Sequence, residues 1–177
     1  MNRSALYAAL TLALLAPSLR AQDVKNSLIN DFQRQRANVL GMVDAMPEAG
    51  LRTAPTEGVR DFAQQIEHVV QGNVGIIQSG LDQPVDLPEQ DPEVYLNSKD
   101  ALKTMVNVGY DLIGEMLASM TEAEYNTETQ LFGQATVPKW QLVKTAYEHG
   151  VWTLGATVPY LRLQGGTPPA YNLIPGS

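Results

Sequence analysis

Residues 139–169 read KWQLVKTAYEHGVWTLGATVPYLRLQGGTPP, a helical segment followed by a Gly-Gly-Thr-Pro-Pro stop. Pro138, just before this segment, is a residue preferred at the first position of a helix. Gly165 is typical of a helix end, and Pro168 prevents the helix from continuing. Pro159, inside the segment, predicts a kink or an early end of regular hydrogen bonding. The sequence therefore predicts a last helix over residues 138–165.

His149 lies in the middle of this helix and raises the question of a metal site. A metal-binding helix would place a second ligand one turn later, because positions i and i+4 share a face. In this chain that position is Thr153. The segment therefore belongs either to a working metal centre or to one that has lost part of its ligand set.

Three further segments have the apolar period of amphipathic helices and are separated by proline- and glycine-rich breaks. We predict helices over residues 23–46, 60–79 and 98–120, with Ser98 as an N-cap. No strand-like alternation is sustained, and residues 121–137 are predicted as a turn followed by a polar stretch. Four helices of about 20 residues predict an all-α four-helix bundle. The connections allow either an antiparallel topology or crossovers.

The apolar stripes of the helices predict which faces are buried. On the second helix the predicted stripe contains Phe62, Ile66, Val69, Val70, Asn73, Ile76 and Ile77, and on the fourth it contains Val143, Tyr147, Val151, Leu154 and Val158. The chain has two histidines, His68 and His149, and both lie well away from these stripes. Such an offset fits either two residues that flank a cleft or two surface histidines.

Residues 1–21 have the pattern of a secretory signal peptide. A short basic start is followed by an apolar run too short to cross a bilayer, then by Pro17 and small residues as far as Ala21. We expect a secreted or periplasmic protein whose domain, residues 22–177, is not embedded in the membrane. An uncleaved membrane anchor is the alternative.

Bulk composition limits the possible functions. The chain has 177 residues, 44% hydrophobic and 18% charged, as expected for a single globular domain. Its net charge of −7 becomes −9 without residues 1–21, which contain two arginines and no acids. A chain this acidic repels phosphate backbones, so we expect no nucleic-acid partner. Without cysteine there are no disulfides, thiolate ligands or cysteine nucleophile.

Two stretches of the sequence resemble the DinB-like family of helical-bundle proteins. The first is RDFAQQIEHVV at residues 60–70, and the second is HGVWTLG at residues 149–155, followed by YLRLQG at residues 160–165 and two prolines. The resemblance covers most of residues 23–169. It implies a four-helix bundle that binds a divalent metal through three histidines, thiol-dependent transferase activity in some members, and pairing of bundles into a homodimer through a helix face.

Transferred to this sequence, the resemblance assigns His68 and His149 as metal ligands, for zinc, nickel or iron, and places Thr153 where the third histidine is expected. Two imidazoles leave the site incomplete, since catalytic zinc normally has three protein ligands. No zincin motif, phosphate-binding glycine loop or nucleophile elbow is present.

Two functions follow from these observations. The first is an exported helical bundle with a degenerate metal centre. It would bind an unknown small molecule without catalysing a reaction. The alternative is a divalent-metal-dependent hydrolase or thiol-dependent transferase that uses His68 and His149.

Overall fold

The computed structural model describes residues 3–81, 85 and 88–174, with side chains from Val24 onwards. Four long helices dominate, accompanied by three short helices, a single 3-10 turn at Glu48–Gly50 and a small hairpin. In chain order the elements are α1 (Arg3–Ala45), α2 (Phe62–Gln78), α3 (Pro92–Tyr95), α4 (Lys99–Ser119), α5 (Glu122–Tyr125), β1 (Glu128–Leu131), β2 (Ala135–Pro138), α6 (Lys139–Gly155) and α7 (Val158–Leu163).

Local capping explains where the central helices begin. Ser98 caps α4 as predicted, because its hydroxyl accepts from the Ala101 N–H at 3.4 Å. The second helix begins at Phe62 because Asp61 forms a capping box with Gln64. The Asp61 carboxylate accepts from the Gln64 N–H at 2.8 Å, and the Gln64 side chain accepts from the Asp61 N–H at 3.0 Å. The two central helices are thus present, with ends one or two residues from the predicted ones, whereas α1 begins at Arg3, twenty residues before the predicted start at residue 23.

Pro159 interrupts the last helix, as predicted, and the break lies upstream of the proline. Helix α6 ends at Gly155, and α7 begins at Val158 with Pro159 in its first turn. Proline has no N–H to donate to the carbonyl four residues earlier, so the regular hydrogen bonding stops before it. The predicted single helix is therefore two helices in sequence.

The polar stretch before α6 contains a β-hairpin that the sequence analysis did not predict. Strands β1 and β2 pair antiparallel, with Thr129 opposite Val137 and Leu131 opposite Ala135. The chain reverses through Phe132 and Gly133, whose φ angles are 53° and 67°. Glycine adopts this left-handed conformation without steric cost, which favours the reversal. Strands of four residues are too short for apolar alternation to show in the sequence.

The four long helices pack around one apolar core in the cyclic order α1, α4, α2, α6. Helices α1 and α2 therefore lie diagonally opposite, although they are consecutive in the chain. The predicted stripe of α2 is buried throughout. Largest among the fully buried core side chains are Tyr110, Tyr125, Phe62, Met46, Leu51, Ile66, Ile77, Leu102, Ile113, Met116, Leu117 and Leu142.

The buried face of α6 differs from the predicted one. Of the predicted stripe, Val143 and Leu154 are buried, while Tyr147, Val151 and Val158 are only half-buried. The interior face also contains Leu142, Ala146, Gly150 and Thr153. Much of this face consists of small residues, which allow α6 to lie very close to α2. Small residues give a weak apolar period, so the sequence pattern does not identify this face. As a result His149 borders the buried face of α6.

The predicted signal peptide falls mostly on residues whose side chains lie outside the described part of the structure. The backbone of residues 3–21 forms the beginning of α1, and residues 1–2 are not described. Within the described ranges, no helix is long and apolar enough to cross a membrane.

A candidate two-histidine metal centre

His68 and His149 meet across the seam between α2 and α6, although they lie 81 residues apart in the sequence. Their Nε2 atoms are 3.4 Å apart, and the ring centroids are 5.0 Å apart with the planes at 87°. The geometric expectation from the sequence, that these two side chains share a cleft, agrees with this arrangement.

Helices α2 and α6 run antiparallel, and this direction determines which residues of one helix lie opposite each histidine of the other. The Tyr160 hydroxyl, beyond the end of α6, donates to the Arg60 carbonyl at the start of α2 at 2.9 Å. Further along the seam, His149 lies against Gly72, where an added Cβ would come 2.1 Å from the His149 Cε1 atom. Glycine at position 72 therefore makes room for the imidazole.

Thr153 lies next to the histidine pair. Its side chain is 5% exposed, and its Oγ1 atom is 3.5 Å from the His149 Nε2 atom. The residue that occupies the predicted third ligand position is therefore inside the site, with its hydroxyl close to the two facing nitrogens.

A chain of buried amides fixes which His149 nitrogen carries the proton. The Gln35 Nε2 atom donates to the Tyr147 carbonyl at 2.9 Å, and a carbonyl can only accept. The Gln35 Oε1 atom therefore accepts, from Asn73 Nδ2 at 2.7 Å and from the Tyr110 hydroxyl at 2.9 Å. This leaves Asn73 Oδ1 to accept from His149 Nδ1 at 3.2 Å. His149 is thus protonated on Nδ1, and its Nε2 lone pair faces His68.

Two unprotonated nitrogens at this distance would repel each other. The 3.4 Å contact between the Nε2 atoms therefore fits a hydrogen-bonding proton or a metal ion as the centre between them. That centre is either a proton on His68 Nε2, donated to His149, or a cation bound by both lone pairs.

Burial holds both imidazoles in the neutral form that such a pair needs. Desolvation is the main cause that lowers the pKa of His68, with a further contribution from the positive charge of Arg60, while Glu67 acts weakly in the opposite direction. Desolvation also lowers the pKa of His149, followed by the neighbouring His68 and then Arg60. Neutral imidazole is the form that ligates metals.

The two histidines match part of a zinc site. Zinc–nitrogen bonds of 2.0–2.1 Å in a tetrahedral shell separate two ligand nitrogens by about 3.3 Å. The observed separation of the Nε2 atoms is 3.4 Å. Asn73 supplies the usual hydrogen bond to the other nitrogen of a ligating histidine. In donor type, separation and orientation, these two residues fit a divalent metal.

The third donor does not match such a site. Thr153 offers a neutral hydroxyl, a poor ligand for these ions. Nearby carboxylates have other partners, since Glu67 accepts from the Tyr95 hydroxyl at 2.5 Å and Glu148 pairs with Lys144 at 3.0 Å. Among the residues that the structure describes, no group of three His, Cys, Asp or Glu side chains could hold a metal ion.

Sequence reasoning missed the groups that orient the pair. Asp61 lies on the same face as His68, a spacing at which it could accept a hydrogen bond from the imidazole, but it caps α2 and pairs with Arg52 at 2.7 Å. Asn73 has that role for His149 instead. The available clue was an asparagine inside the apolar stripe of the second helix, because a buried amide needs polar partners.

Comparison with known proteins identifies relatives of this fold. A family model described as the DinB superfamily matches residues 31–156. A DinB-like protein from Bacillus cereus ATCC 10987 is 17% identical, with a TM-score of 0.66 over 83% of this chain and 97% of that chain. A DinB-like protein from Bacillus subtilis is 19% identical, with a TM-score of 0.65 over 82% of this chain and 97% of the other. No curated protein matches the chain.

Proposed function

The chain belongs to the DinB superfamily, and we propose that it is an exported member whose metal centre is incomplete and whose role is binding rather than catalysis. The observation that carries this proposal is the identity of the third residue at the histidine pair. Thr153 is buried there with its hydroxyl 3.5 Å from His149 Nε2, at the position where the family resemblance implies a histidine.

An incomplete ligand set has a direct chemical consequence. Two neutral imidazoles and a hydroxyl supply no negative charge to a divalent cation, and one strong donor is missing relative to catalytic zinc sites. Zinc, nickel or iron would be held by His68 and His149 and would exchange readily. When bound, such a metal would supply Lewis acidity to a coordinated water or ligand. Without it, the two half-buried imidazoles remain a neutral hydrogen-bonding pair.

The test of this proposal is metal content together with metal affinity. Elemental analysis of protein purified without chelator should give zinc, nickel and iron well below one equivalent. Titration with zinc against a competing chelator should give weak binding that His68→Ala and His149→Ala abolish. One tightly held equivalent of metal, retained through dialysis against chelator, would overturn the incomplete-centre proposal.

One observation favours the alternative, a divalent-metal-dependent hydrolase or thiol-dependent transferase. The separation of the Nε2 atoms, 3.4 Å, is close to the spacing of two ligands on one zinc ion. Water or substrate would then complete the ligand shell. This alternative requires hydrolytic or thiol-transfer activity that disappears in His68→Ala, in His149→Ala and with chelator. Activity that survives all three treatments would eliminate it.

Export is proposed from the sequence of residues 1–21, whose basic start, apolar run and small residues support a cleavable signal peptide. Fractionation of the source cells and mass spectrometry of the mature chain test this directly. A chain that retains residues 1–21 in the cytosol would contradict it.

A further inference from the structure

A pocket of about 800 Å³ opens at the end of the α2–α6 seam. Its walls include Arg60 and Gln65 on one side and Ala156, Pro159 and Tyr160 on the other, with Val59 at the rim. The pocket is formed where the start of α2 meets the break between α6 and α7.

The pocket lies along the same seam as the histidine pair, one helical turn from His68 on α2 and two turns from His149 on the α6 side. Gln65 precedes His68 by three residues, and Ala156 follows Thr153 by three, so each lies on the same face as its partner. The positive charge of Arg60 is close enough to lower the pKa of both His68 and His149. The pocket and the histidine pair therefore share the charge of Arg60 without sharing a lining residue.

Two polar side chains of the pocket differ from its Tyr160 hydroxyl, which is already paired with the Arg60 carbonyl. The exposed Arg60 guanidinium forms no ion pair with a described carboxylate, and its neighbour Asp61 is occupied by Arg52 at 2.7 Å. The Gln65 Oε1 atom is buried without a hydrogen-bond partner. Arg60 therefore offers an unpaired positive charge to a ligand, whereas the buried Gln65 oxygen cannot pair with an anion.

We propose that this pocket binds a small monocarboxylate with an apolar body, with Arg60 pairing with the carboxylate and Val59, Pro159 and the Tyr160 ring packing on the apolar part. Guanidinium groups bind carboxylates through charge-assisted hydrogen bonds. Apolar walls with a few polar groups are typical of small-molecule sites. The net charge of −7 disfavours dianions such as phosphate and leaves a singly charged ligand as the better match. This inference rests on the proposed binding role and specifies its ligand class.

Benzoate and its neutral analogue benzamide test the proposal in the presence of chelator. Binding is followed by calorimetry and by the backbone amide shifts of Val59, Ala156 and Tyr160. We expect benzoate to bind at least about tenfold more tightly than benzamide, because a charge-assisted hydrogen bond exceeds a neutral one by that margin. Arg60→Gln should remove this preference, whereas Arg162→Gln, at an exposed arginine outside the pocket, should retain it.

Ala156→Phe provides a second, independent variant, because the larger side chain fills the pocket from an exposed wall position. It should block benzoate binding even when Arg60 is present. Thermal unfolding checks that each variant is folded. Equal binding of benzoate and benzamide, no benzoate binding at millimolar concentration, or benzoate binding unaffected by Arg60→Gln and by Ala156→Phe would each overturn the proposal. Zinc titration of the same preparations reports on the metal centre separately, so failure of the carboxylate site is distinguishable from failure of the proposed function.

Discussion

Thr153 lies beside two imidazole nitrogens with a hydroxyl that can donate or accept a hydrogen bond and has no charge. Its Oγ1 atom is 3.5 Å from His149 Nε2, and that nitrogen is 3.4 Å from His68 Nε2. A single side chain therefore determines whether three strong donors or two surround this point.

Replacing Thr153 by histidine should restore a three-nitrogen centre. We expect Thr153→His to raise zinc affinity by more than about a hundredfold, since even residues that only orient metal ligands change affinity by 10–100-fold. Competition titration with a chromogenic chelator measures the change. Trp152→His is the matched control, because position 152 is 84% exposed on the same helix. Equal gains in the two variants would show that the third ligand position is not at Thr153.

Asn73 connects His149 to the buried amides and should be important for stability. Its side chain is fully buried, donates to Gln35 at 2.7 Å and accepts from His149 at 3.2 Å. Asn73→Ala leaves these partners unsatisfied, so we expect a loss of about 1–3 kcal/mol in the free energy of unfolding, measured with urea. Asn30→Ala, at an exposed asparagine of α1, should not lower it, because alanine has the higher helix propensity. Similar losses in both variants would contradict a structural role for the amide chain.

The two histidines could be predicted as a pair because the family resemblance fixes their positions, and their contact then follows from helix packing. Gln35 and Tyr110 could not be predicted as partners of Asn73 in the same way. Their meeting depends on the relative rotation of three helices, which the apolar period of each helix alone does not specify.

At the scale of helices, the α2–α6 seam is close because small residues line it. An added Cβ at Gly72 would come 2.1 Å from His149 Cε1, and one at Gly150 would come 2.6 Å from Asn73 Nδ2. Such contacts cannot be relieved without moving the ring or the amide. Close approach of α2 and α6 therefore holds the imidazoles together.

Two glycines of α2 test this point within one helix. Gly75 has no atom within 4 Å of an added Cβ, so Gly75→Ala should stabilise the protein by about 0.5–1 kcal/mol through helix propensity. Gly72→Ala should instead destabilise it by about 1–3 kcal/mol, because the methyl group overlaps the His149 ring. Urea unfolding of both variants gives the comparison. Stabilisation by Gly72→Ala would mean that the seam is looser than described.

The predictability of the elements differs for physical reasons. Helix α4 buries a continuous run of large apolar residues such as Leu102, Val106 and Ile113, so its period identifies both the helix and its inner face. Helix α6 buries Ala146, Gly150 and Thr153, which leave little hydrophobic pattern to detect. Its inner face was therefore predicted only in part, through Val143 and Leu154.

At the scale of the whole molecule, the buried neutral histidines connect stability to pH. Both have a pKa below the ordinary 6.5 in the folded protein, mainly because of burial. The unfolded chain then binds more protons than the folded one as the pH falls through 6.5, so acidification should lower the free energy of unfolding. The stabilisation is fully present above that pH and is lost below it.

Urea unfolding in the presence of chelator, between about pH 8 and pH 5, measures this dependence. The double variant His68→Gln with His149→Gln has neither titrating ring and should lose less stability over the same interval. Identical pH dependence in the two proteins would show that the histidines do not titrate differently on folding.

The arrangement of the four long helices was left open by the sequence, because the connections permit several topologies. The observed cyclic order places α1 diagonally opposite α2. Apolar stripes specify that helices pack together, but they do not specify which helix neighbours which. Recognition of the family, rather than helix periodicity, is what narrows the topology in advance.

The buried amide layer draws one side chain from each long helix: Gln35 from α1, Asn73 from α2, Tyr110 from α4 and His149 from α6. A shift of any one helix along its axis by one turn, about 5.4 Å, would leave several buried polar groups without hydrogen-bond partners at once. Leucines and valines penalise such slippage far less, because one aliphatic neighbour substitutes for another. Apolar replacement of these four side chains should therefore yield a protein that stays helical and compact yet exchanges among several lengthwise alignments, visible as broadened methyl resonances.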